Sequence, residues 1–163
     1  MGRKVHEFSQ SFQIGKIGET LMRDYFESLG FQVYSLNKKE QKEYLYDLRI
    51  SKGNRIYGVE VKTELKGEQT GNIFYETEVD GKPGWTQKYS DDSKVVIVWV
   101  LPISLKAYML PASKLLEIPY EDYEKREVLN PRYSAIGYKV PLSIVKPLCK
   151  EIDLSKFAEN LAA

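Results

Sequence analysis

The sequence predicts an α/β or α+β fold in which a mixed central β-sheet is flanked by helices. Three observations carry that expectation. Apolar residues recur at helical spacing from Phe12 to Leu29. The pair Gly53-Asn54 separates two strand-like stretches, Leu45–Ile50 and Arg55–Glu64, as the loop of a two-residue hairpin does. Val95–Leu101 is an unbroken apolar run, the pattern of a strand buried on both faces.

Each element follows in order. Residues 1–8 are polar and lie ahead of the first helix. Ile14, Ile17, Leu21 and Tyr25 form the helix's apolar stripe, with Phe26 and Leu29 beside it. Ser9 or Ser11 is placed to cap it, and Gly30 to end it. Gly15 and Gly18 each cost about 1 kcal/mol relative to alanine inside a helix. Two such residues imply close approach of a neighbouring backbone or a ligand. Phe31–Ser35 reads as a strand and Asn37–Lys42 as a charged loop. Asn72–Val79 is a further strand, followed by a turn at Asp80-Gly81-Lys82-Pro83-Gly84. Leu105–Leu110 returns against Val95–Leu101 across Pro102-Ile103-Ser104. Ala112–Leu116, Tyr120–Val128 and Ser143–Cys149 read as short helices, and Tyr133–Val140 as a last strand. The final residues carry a weak helical pattern, and no repeat is visible.

Composition narrows the chemistry. At 163 residues the chain suits one domain with its own core. Its 24 basic and 23 acidic residues leave a net charge of +1, which excludes a protein held to nucleic acid by bulk charge alone. An enzyme that clusters its acids at a metal site remains allowed. Cys149 and His6 are the sole residues of their types, so neither an intrachain disulfide nor a thiolate- or imidazole-rich metal site can form. Any metal must be held by oxygen, which favours Mg2+ or Mn2+. The 12 tyrosines and two tryptophans serve a core or base stacking equally well. The N-terminal stretch has no apolar signal-like core, and no segment approaches membrane-spanning length. A cytoplasmic location without a membrane partner is the expectation.

The hairpin supplies the candidate chemistry. With Gly53-Asn54 as its loop, Lys52 faces Arg55, Ile50 faces Tyr57, Leu48 faces Val59 and Tyr46 faces Val61. Every residue from Tyr46 to Val61 on that parity is apolar or aromatic beyond the turn, so this face belongs to a core. The opposite face carries Leu45, Asp47, Arg49, Gly58, Glu60 and Lys62, with Asp47 directly across from Glu60. Side chains so opposed have Cβ atoms about 4.5–5.5 Å apart, and two carboxylates there repel. A divalent cation converts that repulsion into binding. Lys62, next on the same face, then reaches a reacting phosphate or the attacking water. Taken alone, Glu60-Val61-Lys62 is an ordinary solvated strand face. Opposed Asp47, the mid-hairpin turn and the apolar reverse face are what favour a metal site.

Together, Gly15-Lys16-Ile17-Gly18-Glu19 on a first helix, Tyr46-Asp47, and Glu60-Val61-Lys62 resemble the PD-(D/E)XK (restriction-endonuclease-like) nuclease superfamily, and Gly71-Asn72-Ile73-Phe74-Tyr75-Glu76 and Gly84-Trp85-Thr86-Gln87-Lys88-Tyr89-Ser90 resemble stretches in its small phage and bacterial members. The resemblance covers Phe12 to about Leu101. It implies a core of one helix, a strand meander bearing the catalytic residues, a further helix and a final strand. Residues 102–163 would then be an extension packed on that core within one nuclease domain, 1–163. The resemblance also implies roles. Glu19 looks like the helical carboxylate that meets the metal directly or through water. Asp47 looks like the shared metal ligand, Glu60 and Lys62 like the E-x-K pair, and the Val61 carbonyl completes the metal shell. Tyr46 stands where the family's proline often lies. Gln87, and after it Lys88 and Glu76, are candidates for an additional site residue. Trp85 is a stacking or anchoring residue. Asn37, Lys38, Lys39 and Lys42 serve as phosphate contacts or as a plain solvated loop.

The implied activity is metal-dependent endonucleolytic hydrolysis of DNA phosphodiesters, with Mg2+ as cofactor and Mn2+ substituting. Lys62 would position the attacking water or help to deprotonate it. A site-specific restriction-like or homing enzyme, a Holliday-junction resolvase, and a DNA-repair nuclease are open alternatives. So is a non-catalytic nucleic-acid-binding or assembly module. DNA is the implied partner, and cutting both strands implies a homodimer or higher homo-oligomer. An α/β protein with an unrelated small ligand finds no support. The chain lacks a phosphate-cradling glycine loop and a nucleophile–base pair.

Overall fold

A computed structural model describes residues 2–44, 46–88, 94–131 and 133–161. Side chains are described from Gln13 onward, apart from Lys42, Tyr44, Lys66, Lys88, Asn130 and Asn160. The chain opens with helix α1 (Gly2–Ser28), which therefore begins ahead of Ser9 and Ser11, the residues expected to cap it. Its end is closed at Gly30, whose φ of +88° suits a residue without Cβ. The Phe31 N–H donates to the Phe26 carbonyl at 3.1 Å and the Gly30 N–H to Glu27 at 3.0 Å. The Phe26 and Phe31 rings meet edge to face at 5.9 Å. Paired hydrogen bonds with that apolar contact form a Schellman close.

The strands make two sheets. The main sheet has the order β1-β2-β3-β6-β7-β10, from β1 (Gln32–Ser35), β2 (Leu48–Lys52), β3 (Arg55–Thr63), β6 (Val95–Leu101), β7 (Lys106–Pro111) and β10 (Lys150–Asp153). The β3–β6 pair is parallel and the others antiparallel, so the sheet is mixed. The smaller sheet has the order β5-β4-β9-β8, from β4 (Asn72–Val79), β5 (Lys82–Pro83), β8 (Glu124–Asn130) and β9 (Tyr133–Pro141). Short helices α2 (Lys38–Tyr44), α3 (Leu65–Thr70), α4 (Trp85–Lys88) and α5 (Leu142–Val145) link these strands.

Helix α1 and the meander β1–β3 follow one another as the resemblance implies, but α3, β4, β5 and α4, rather than a single further helix, separate β3 from β6, which lies parallel to it. Residues 102–163 do more than pack on that core: β7 and β10 join the main sheet, and β9 pairs with β4.

The two faces of the main sheet bury different partners. Leu21, Met22 and Phe26 of α1 pack on Leu48, Ile50, Val59, Val61, Val98 and Val100, with Leu154 and Phe157 closing that side. On the other face Ile97, Trp99 and Leu110 pack against Ile73 and Tyr75 of β4, Val140 of β9, and Trp85. Strand β6 thus sends alternate side chains into both layers, as its continuous apolar run requires.

Three sequence expectations need correction. Asn37–Lys42 is not a loop: Asn37 caps α2, its Oδ1 accepting the Glu40 N–H at 2.9 Å while the Glu40 carboxylate accepts the Asn37 N–H at 3.2 Å. That reciprocal pair is a capping box. Tyr120–Val128 is not helical beyond a 3-10 turn at Tyr120–Asp122, because Glu124–Asn130 finds a full antiparallel partner in β9. The polar residues 2–8 extend α1 rather than precede it. Leu45, expected to start a strand, lies outside the described residues.

Of the two suspect glycines, only Gly18 is closely approached. A Cβ there would stand 2.0 Å from Thr63 Oγ1, whereas nothing lies within 4 Å of one at Gly15. Gly15→Ala should therefore stabilise the protein by about 0.5–1 kcal/mol through helix propensity. Gly18→Ala should destabilise it by about 1–3 kcal/mol through overpacking. Urea unfolding of both variants checks this, and stabilisation by both would contradict the α1–β3 contact.

Candidate active site

The hairpin begins as the sequence predicts. Lys52 pairs with Arg55, Ile50 with Tyr57 and Leu48 with Val59, across a turn in which Gly53 has a φ of +60°. At Asp47 the ladder slips. The Asp47 N–H donates to the Val59 carbonyl at 2.9 Å, the acceptor that regular pairing gives to Leu48. The Asp47 carbonyl accepts the Leu36 N–H at 3.0 Å, and its carboxylate Oδ2 accepts the Val61 N–H at 2.8 Å. A regular ladder would satisfy that last donor with the Tyr46 carbonyl.

The slip reverses Tyr46. Expected beside Leu48 and Ile50 on the α1 face, it lies instead over Gly58 on the opposite face. A Cβ on Gly58 would stand 2.6 Å from its ring. Asp47 therefore reaches Glu60 from the end of the strand, held by three hydrogen bonds, rather than from a position directly across the ladder.

Glu60 and Lys62 share the face of Ile97 and Trp99, their parallel neighbours on β6. Glu60 is only 7% exposed, and Lys62 Nζ stands 3.1 Å from Glu60 Oε1. The same ammonium lies 5.4 Å from the centroid of the Trp85 ring, a cation–π distance. Trp85 is anchored edge-on by Trp99 at 5.9 Å and tilted against Tyr75 at 6.1 Å. Next to it, the buried Thr86 hydroxyl donates to the Glu76 carbonyl, tying α4 to β4. Asp47, Glu60, Lys62, Tyr46, Glu76 and Trp85 all line one open cleft of about 270 Å³ between the sheets.

The cleft strains its acids. Burial, opposed by Lys62 but aided by the Asp47 charge, pushes the Glu60 carboxyl up to about 8. Burial also raises Asp47, against the pull of Lys62 and the Val61 N–H. Glu19, on α1, is raised to about 7 by burial and then by the negative charge of Asp47, with Lys16 partly offsetting. Burial pulls the Lys62 ammonium down, but Glu60, Glu76 and Asp47 outweigh it and hold Lys62 above its ordinary range.

Buried carboxyls pushed above their ordinary range by burial, and Glu60 also by the Asp47 charge, mark a site short of positive charge. Among the described residues no three Asp, Glu, His or Cys side chains stand together as a metal cage. Asp47 and Glu60 as two oxygen donors fit Mg2+, which is commonly held by one or two carboxylates and completed by water and substrate.

Asp47, Glu60 and Lys62 are thus brought together, Glu76 joins them from the second sheet, and Glu19 lies within electrostatic reach of Asp47. Gln87 does not line the cleft. It is exposed, with Nε2 at 3.3 Å from Thr86 Oγ1, and it also hydrogen-bonds Tyr120. The side chains of Lys88 and Lys42 lie outside the described residues, as do Tyr89 and Ser90. Lys38 and Lys39 are exposed on α2, behind the cap at Asn37. Gln41 was not anticipated. It lines the cleft from α2 and donates from Nε2 to the Leu36 carbonyl at 3.0 Å. The Asn37-x-x-Glu40 cap could have revealed its helix.

The raised Glu60 carboxyl has a thermodynamic signature. Folded Glu60 keeps its proton to about 8, whereas the unfolded group releases it near 4.5. Between those values the folded state binds more protons, so this group's contribution to stability falls as pH rises. In metal-free buffer Glu60→Gln should gain stability relative to the parent between pH 5 and 8, by about 1–4 kcal/mol. Urea unfolding at both pH values reads it, and a pH-independent difference would contradict the assignment.

No protein-family model matches the chain, and no curated protein does. Among solved structures the chain is similar to D212, a nuclease from a fusselovirus. The two are 14% identical, the match covers 88% of this chain and 89% of that one, and the TM-score is 0.37.

Proposed function

We propose that this protein is a metal-dependent nuclease of the PD-(D/E)XK kind that hydrolyses phosphodiester bonds in DNA. One observation carries the reading. A carboxylate fixed by a backbone N–H, Asp47 on Val61 at 2.8 Å, stands beside a buried Glu60 whose partner is Lys62 at 3.1 Å, in an open cleft.

Asp47, Glu60 and the Val61 carbonyl would hold Mg2+, with Glu19 meeting it directly or through water. When bound, the ion supplies charge neutralisation at the scissile phosphate and activation of water. The chain's own groups do the rest. Asp47 needs no reorganisation, because its N–H, carbonyl and carboxylate are each bonded already. Lys62 is a firmly held cation, so it acts by placing the water and stabilising negative charge on the phosphoryl oxygens. That favours positioning over proton abstraction as its role. Trp85 and Glu60 hold its ammonium from two sides.

Site-specific duplex cutting, homing-type cutting, junction resolution and repair can all use this centre. Two-strand cutting of a duplex calls for two centres, hence a homodimer or larger homo-oligomer. Incubation with supercoiled plasmid, branched DNA and RNA assigns the substrate.

Two outcomes are expected. Cleavage stops in EDTA and returns with Mg2+ or Mn2+. Asp47→Ala and Lys62→Ala each lower the metal-loaded rate by about 10²-fold or more, while circular dichroism shows the parent's fold. A variant that cuts as fast as the parent removes its residue from the centre.

A further inference from the structure

We propose that a second groove, across Tyr46 from the catalytic cleft, binds an unpaired stretch of the substrate DNA strand. This rests on the nuclease reading and extends it to how the strand is held beyond the bond that is cut.

The groove has a volume of about 540 Å³ and is bounded by Tyr46, Asn54, Arg55, Ile56, Gly58 and Lys94. Tyr46 walls both this groove and the catalytic cleft, so a chain leaving one passes over its ring into the other. The ring lies on the strand only because Gly58 has no Cβ. Its hydroxyl is 3.4 Å from Arg49 Nη2. The Gly58 N–H donates to the Lys94 carbonyl at 2.9 Å, which fixes Lys94 beside that floor.

The two cavities differ in charge. The cleft is lined by Asp47, Glu60 and Glu76 with Lys62 among them. Among the described residues, the lining of the groove carries Arg55 and Lys94 and no carboxylate. A phosphodiester strand needs both arrangements: acids that bind a metal at the scissile phosphate, and cations for the phosphates that flank it. The groove also offers apolar surface. Ile56, which lines it together with Tyr46, is 57% exposed. An aromatic face with an apolar neighbour takes an unstacked base, and only an unpaired strand presents one. The volume falls within the about 300–1,000 Å³ of sites that enclose a small-molecule-sized group, which a nucleotide is.

The test uses the full chain in EDTA, so that binding is read without cutting. A fluorescein-labelled single-stranded DNA oligonucleotide is titrated by anisotropy at several salt concentrations. Arg55→Glu with Lys94→Glu should weaken binding at least tenfold and flatten the slope of log K against log salt by about 1.4, as loss of two single-strand phosphate contacts does. Ile56→Ser should weaken binding several-fold and leave the slope unchanged. Lys125→Glu with Lys150→Glu, an equal change of charge on exposed residues elsewhere, should alter neither. A blunt duplex of the same sequence should lose less than the single strand.

The groove is refuted if the Arg55/Lys94 variant stays within twofold of the parent, or if the Lys125/Lys150 control loses as much. It is also refuted if the duplex loses as much as the single strand. A parent that binds through Arg55 and Lys94 but never cuts with metal overturns the nuclease reading alone. A parent that cuts, with no dependence on those residues, overturns the groove alone.

Discussion

Asp47 gives its carboxylate to the Val61 N–H at 2.8 Å, and much of the site's geometry follows from that bond. It replaces a ladder hydrogen bond, so the β2–β3 pairing can end without leaving a buried donor unsatisfied. It frees Tyr46 to turn onto Gly58 and become a wall of the cleft. It also sets the Asp47 charge beside Glu60, while the strand's own apolar residues stay in the α1 layer. Without the bond, either Val61 loses its partner or Asp47 swings out toward solvent, and Glu60 no longer has a carboxylate for a neighbour.

The second constraint is the packing of the smaller sheet on the main one. Trp99 on β6 supports Trp85, and Trp85 supports the Lys62 ammonium. Thr86 couples the same helix to β4 and so to Glu76. The cation at the centre therefore has an aromatic wall and three carboxylates around it, Glu60 from its own strand, Asp47 from the head of β2 and Glu76 from the second sheet. Burying such a group of acids destabilises the free protein, and the surrounding core offsets that cost. On the proposed function a bound cation would relieve that strain, a common bargain between stability and activity.

The legible parts of the sequence were those set by local pattern. Gly53-Asn54 and the alternation around it gave the β2–β3 register, and the apolar run at Val95–Leu101 gave a strand buried on both sides. Glu60 and Lys62 were placed on one face by the period of a strand alone. What escaped was set by contacts from afar. Nothing in the alternation at Tyr46 announces that a carboxylate one residue later will take over a ladder bond. Glu124–Asn130 has charges at helical spacing and becomes a strand only because β9 lies alongside. Lys150–Asp153 is four residues of a sheet edge, too short to stand out without β7 beside it. Glu76 is a candidate through the family resemblance alone, for it reaches the cleft through the packing of one sheet on another, which no local pattern encodes. The Asn37-x-x-Glu40 cap is different, for that signal was present and local.

The proposed function requires Asp47 and Glu60 to share a divalent cation. Calorimetric titration of Mn2+ or Mg2+ into the metal-free protein, in buffers of different ionisation enthalpy, tests it most directly. One binding event that releases protons near neutral pH, because Glu60 must give up its proton to bind, is the predicted result. The same titration into Asp47→Asn should show no such event. Absence of binding heat in the parent, or undiminished binding by the Asp47→Asn protein, would contradict the account.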